Sequence, residues 1–148
     1  MITLGNKIVK ASFRECPISD RKLFKQSHCL LPISIGQSVH EAEKLSATLK
    51  LVNSSFRKCT LLLDDSIQRH TLKIYNPNDS TKTLYQAAVT EGDFWLKRNK
   101  AAIKLLDIPH NIIRWEQWHH HQDFNTQFTK VEHLYDTDIC YRQALNSN

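Results

Sequence analysis

With 148 residues, 41% of them hydrophobic and 24% charged, the chain is long enough to bury one core and too apolar to be disordered. Its formal net charge of +5 does not by itself demand a polyanionic partner; that reading needs the basic residues to line up on one face. Only 3 Gly and 4 Pro argue for few turns and long elements, which excludes an all-β sandwich.

In chain order, MITLGNKIVKASF lacks the apolar segment of a signal peptide, and no later run approaches membrane-spanning length. No membrane contact and a cytoplasmic location are therefore expected. The first strand–helix unit covers residues 28 to 55. His28 to Ile33 form an apolar strand that ends in Ser34, Gly36 supplies a turn, and Ser38 to Glu41 carry the S-x-x-E pattern of a capping box. Ala42, Leu45, Leu49 and Val52 then repeat at helical spacing. The second unit opens at Lys58, with a buried strand over Cys59 to Leu63, a turn at Asp64 and Asp65, and a helix to about Tyr75. Asn76-Pro77-Asn78-Asp79 breaks the chain, and Asp79 or Ser80 caps a helix over about Thr81 to Leu106, interrupted at Gly92. Asn111 to Arg114 read as a third short strand. Phe124 to Leu145 read as one final helix with Phe128, Val131 and Leu134 on one face. Strands alternating with helices predict a single α/β domain over residues 1 to 148, built on a parallel sheet.

Several residues could carry chemistry. Ser34 sits where a parallel strand hands over to a helix, the edge at which open α/β sheets bind ligands. A serine there can be a nucleophile, or can simply hydrogen-bond its own turn. Pro32-Ile33-Ser34-Ile35-Gly36 is similar to the G-x-S-x-G elbow of hydrolases, but Pro32 suits that strained turn badly. Asp64 and Asp65 could face the same cleft as Ser34 or cap the following helix. Lys97, Lys100 and Lys104, with Arg98 beside them, form a stripe that could follow a phosphate backbone or be an ordinary solvated face. His119, His120 and His121 lack the spacing for one metal, because adjacent helical residues point apart, so no metal is expected. Trp95, Trp115 and Trp118 read as packing residues. Cys16, Cys29, Cys59 and Cys140 contain no C-x-x-C pair and read as reduced thiols.

Three blocks taken together, CLLPISIGQSVHEAEKL, KCTLLLDDSIQRHTL and EGDFWLKRNKAAIKLLDIPHNIIRWEQWHHHQDF, resemble the tRNA-dependent cyclodipeptide synthases over roughly residues 25 to 145. The resemblance implies a Rossmann-like fold similar to the catalytic domain of class I aminoacyl-tRNA synthetases, without ATP or any other cofactor. It implies an aminoacyltransferase that takes two aminoacyl-tRNAs in turn, holds the first aminoacyl group as an ester on a serine, and releases a cyclic dipeptide. Ser34 matches that serine. Pro32, Gly36, Gln37 and Asp65 fall around the implied substrate pocket, and Gln37 stands where one branch of the family has Asn. Lys97, Arg98, Lys100 and Lys104 fall in the helix that contacts tRNA. Asp65, Gln68 and Arg69 fit the second block.

The departures are local at first. Pro32 replaces a usual Gly, and Val39 and Ala42 replace a common aromatic and a common Gly. The family also continues into a segment with a catalytic Tyr and Glu and a last strand, which the sequence to Asn148 does not contain. A shortened synthase is therefore expected, with its last strand or strands missing, prone to self-association and slow to release product. The alternative is a non-catalytic RNA-binding remnant.

Overall fold

Three short apolar runs form the sheet: β1 (His28–Ser34), β2 (Lys58–Asp64) and β3 (His110–Arg114). The computed structural model describes residues 9–13 and 18–146, so Cys16 lies outside the described residues. All strands are parallel in the order β1-β2-β3, with Ser34 paired to Asp64 and Leu63 to Arg114. Central β2 buries Cys59 through Leu63 without a break, as a strand covered on both faces must. Its one polar member, Thr60, bonds His28 of β1 (2.8 Å) and Asn111 of β3 (2.5 Å), so the buried hydroxyl ties all three strands. Pro32 is exposed on edge strand β1, where its missing N–H costs least.

The chain divides into a unit ending at Trp115 and a unit beginning at Glu116. In the first, α1 (Ile18–Phe24) joins an aromatic cluster in which Phe24 lies 5.0 Å from both Phe13 and Phe56. Helix α2 (Ala42–Ser55) buries Leu45, Leu49 and Val52 at the expected spacing. They pack with Ile33, Leu61 and Leu63 of the sheet and with Trp95, Ala102 and Leu106. Helix α3 (Gln68–Tyr75) follows β2, and α4 (Thr81–Arg98) begins after the expected break, with Ser80 accepting the Thr83 N–H at 3.1 Å.

Two local expectations fail for tertiary reasons. The capping box at Ser38–Glu41 does not form: residues 38–40 make a 3-10 turn, and Glu41 has no side-chain capping bond. Its carboxylate is held instead by Arg98 (2.7 Å) and Asn99 (2.8 Å). Ala42, first in α2, adopts φ +49°, a left-handed conformation that favours glycine. The long helix is interrupted at Asn99 rather than Gly92, with α5 (Lys100–Ile103) continuing to Lys104. Gly92 is buried inside α4 because the helix there passes close to Arg114 and Asp65.

The second unit holds most of α6 (Trp115–His119), then α7 (Phe124–Thr137) and α8 (Ile139–Asn146). The single helix expected from Phe124 to Leu145 is split because Asp138 leaves helical geometry and accepts the Tyr141 N–H at 3.0 Å, capping α8. Phe128, Val131 and Leu134 of α7 are 50%, 43% and 42% exposed. Phe124 stacks on Phe128 at 5.9 Å beside a cavity of about 380 Å³ that Trp118 and His121 also line.

Candidate active site at the strand ends

Parallel pairing brings the C-terminal ends of all three strands to one edge, where the chain presents Ser34, Asp64, Asp65 and Arg114. Ser34 and Asp64 are register partners, so their side chains leave the same face of the sheet side by side. The Ser34 hydroxyl donates to Oδ2 of Asp64 at 3.5 Å. Oδ1 of Asp64 is buried and has no hydrogen-bond partner among the described residues. Burial pushes the Asp64 carboxyl above its ordinary range, partly offset by the Ser34 hydrogen bond and by nearby His40. Neither aspartate caps the next helix: α3 starts after Ile67 with no side-chain cap.

Asp65 is 1% exposed and forms an ion pair with Arg114 of β3. Arg114 also reaches Asp93 (2.6 Å) and the Val89 carbonyl (2.8 Å), both on α4. Only a glycine at 92 leaves room for this arrangement, since a Cβ there would stand 2.7 Å from Arg114 Nη2 and 2.9 Å from Asp65 Oδ2. Asp65 therefore stands behind the strand ends, neutralised, while Asp64 faces Ser34.

The turn after β1 is fixed from two sides. Gly36 adopts φ +83°, and Gly36 and Gln37 are exposed. His40 folds back so that its Nδ1 accepts the Ser34 backbone N–H at 2.9 Å. The same nitrogen lies 3.3 Å from the Ser34 carbonyl oxygen, so the ring is seated on the end of β1. The buried Trp95 indole donates to the His40 carbonyl at 3.0 Å, fastening this turn to α4. Sequence reasoning missed His40 and Arg114. The only local signals were a histidine six residues after the serine and a lone cation closing an apolar strand.

The basic stretch splits in two. Arg98 pairs with Glu41 and Glu91, each at 2.7 Å, and holds the Glu41 carboxyl below its usual range against the effect of burial. Lys97, Lys100 and Lys104 are exposed around the α4–α5 junction. Cys29 and Cys59 are neighbours in register and both are free thiols. In the second unit, Glu116, His119 and His120 present ligand atoms within 4.8 Å of one another. Adjacent histidines approach each other there because α6 ends at His119, so His120 is not bound to helical spacing. The donors suit a borderline divalent metal such as zinc, though both histidines are exposed. No helix among the described residues is long and apolar enough to cross a membrane.

No protein-family model matches the chain, and no curated protein matches it. Solved structures do. A CDPS (cyclodipeptide synthase) from Fluoribacter dumoffii is 50% identical over 93% of this chain and 62% of its own, with a TM-score of 0.84. A cyclodipeptide synthase from Streptomyces noursei shares the fold at 12% identity, over 77% of this chain and 55% of its own, with a TM-score of 0.63. So does a Mycobacterium tuberculosis protein whose structure relates cyclodipeptide synthetases to type I tRNA synthetases. It is 12% identical over 82% of this chain and 55% of its own, with a TM-score of 0.61. The chain thus spans under two thirds of the length of these structures.

Proposed function

From the chain's likeness in sequence and fold to a cyclodipeptide synthase from Fluoribacter dumoffii, we propose that it is an aminoacyltransferase acting on aminoacyl-tRNA. Ser34 accepts the first aminoacyl group as an ester, and the complete reaction joins it to a second to give a cyclic dipeptide. The observation that carries this reading is the position of Ser34: at the end of a parallel strand, with its hydroxyl on a half-buried carboxylate and its backbone N–H held by His40. An ester carbonyl reaching that edge meets an oxygen nucleophile with a proton acceptor already beside it. Pro32, Gly36 and Gln37 border the serine in sequence and are exposed, which suits a role in shaping the site for the incoming amino acid.

The tRNA is taken to approach Lys97, Lys100 and Lys104. Arg98, bound to two carboxylates, braces α4 against Glu41 in this reading and adds less net charge to that face. The chemistry needs no cofactor: the tRNA ester is the activated species. Charged tRNA is a cytoplasmic substrate, and a cytoplasmic location for the chain goes with this reading. The half-exposed apolar face of α7 supports self-association.

A second reading, a tRNA-binding relative without turnover, draws on the exposed Lys97, Lys100 and Lys104 alone. Incubation with radiolabelled aminoacyl-tRNA separates the two. Transfer predicts label on the wild-type chain, none on Ser34→Ala, and no reaction with a fluorophosphonate probe. Tight tRNA binding with no covalent label would favour the second reading. Label retained by Ser34→Ala would exclude Ser34 as the acceptor.

A further inference from the structure

We propose that Asp64 is the general base of acyl transfer at Ser34: it takes the hydroxyl proton as Oγ attacks and returns it to the ribose oxygen that leaves. The inference rests on Ser34 being the acyl acceptor and goes beyond it by naming the group that activates it. Each step balances. The Oγ–C bond forms, the ester bond from carbonyl carbon to ribose oxygen breaks, and one proton travels from Oγ through Asp64 Oδ2 to the ribose oxygen. No electron is gained or lost, and no further reactant is needed.

Three observations single out Asp64. It is the register partner of Ser34, so the sheet itself sets the two side chains next to each other. The 3.5 Å approach of Oγ to Oδ2 is long for a hydrogen bond, as catalytic contacts often are before substrate binds. The competing groups near Ser34 are already committed. Nδ1 of His40 is occupied by the Ser34 backbone N–H, which makes His40 a positioning residue for the strand end. Asp65 is neutralised by Arg114. Finally, Oδ1 of Asp64 is buried without a partner among the described residues. A carboxylate left half-solvated in this way gains more from a proton than one in water, which is what a base must do. Asp65 also keeps a buried Oδ1 without a hydrogen-bond partner among the described residues, but Arg114 matches its charge, whereas Asp64 is the carboxylate that receives the Ser34 hydroxyl.

The test compares initial rates of label transfer from aminoacyl-tRNA in two backgrounds, Ser34 and Ser34→Cys, each with and without Asp64→Asn. A general base contributes about 10²–10⁴-fold, so Asp64→Asn should slow transfer to the serine by that order. A thiol, with a pKa of about 8.5, supplies its own thiolate and should be slowed far less. A large loss of rate with serine and a small one with cysteine supports the inference. Equal losses in both backgrounds, including those from misfolding, or no loss in either, overturn it. Label surviving Ser34→Ala defeats the underlying acceptor assignment instead, and that outcome is seen without any Asp64 variant.

Discussion

Asp64 should weaken the fold that carries it. Burial holds its carboxyl above the ordinary range, so the folded chain binds that proton more tightly than the unfolded one. The stability attached to this group is then complete below the unfolded value of about 3.9 and is lost as pH rises through the raised folded value. The groups facing it are Ser34 and His40, with Asp65 alongside and Arg114 behind Asp65. Asp64→Asn removes the ionised form, so its urea midpoint should lie above wild type at pH 7 and match it near pH 3. A midpoint below wild type at pH 7 would show that the carboxylate is stabilising. Gly92 makes the opposite case. An added methyl would press on Arg114 and Asp65, so Gly92→Ala should cost about 1–3 kcal/mol in urea unfolding, as overpacking does elsewhere. Gly92 read as a helix interruption because sequence shows a glycine's flexibility and hides a neighbour 22 residues downstream. The position of Ser34 at a strand end was legible because strand, turn and helix follow one another locally; the contact of His40 was not, because it depends on folding back onto the serine.

At the scale of elements, the strands were readable and the helix ends were not. β1, β2 and β3 are short apolar runs between turn residues, and all three formed within a residue or two of expectation. Ser38 and Glu41 could form a capping box on sequence grounds, but Arg98 and Asn99, 57 and 58 residues from Glu41, take its carboxylate. Asn99, where α4 ends, is itself one of the two residues that hold Glu41. The split at Asp138 is different, since its cap is local and an Asp before Ile139 signals it. The α4–α5 junction leads to a further prediction. If Lys97, Lys100 and Lys104 neutralise phosphates, their joint replacement by Ala should make the salt slope of tRNA binding shallower by about 0.7–0.9 for each phosphate left unpaired. An unchanged slope, with circular dichroism showing an intact fold, would remove this segment from the binding face. Arg98→Ala should act differently. It unpairs Glu41 and Glu91, so it should lower stability at pH 7 and do so less as pH falls and Glu41 protonates.

Across the whole molecule, the sheet edge gathers the site. Three strands that each bring one or two polar residues to their C-terminal ends place a serine hydroxyl, a half-buried carboxylate and an ion pair at one sheet edge. The likeness to solved cyclodipeptide synthase structures fits a site at this edge, since that is where a Rossmann-like sheet presents its ligands. The central claim, that Ser34 receives an aminoacyl group from tRNA, is tested most directly by mass spectrometry of the acid-quenched chain after brief incubation with aminoacyl-tRNA. The account predicts a mass gain of one aminoacyl group, located by fragmentation on Ser34 and absent from Ser34→Ala. An adduct on Cys29, on a lysine or on any residue other than Ser34, or an unmodified chain that has bound its tRNA, would contradict it.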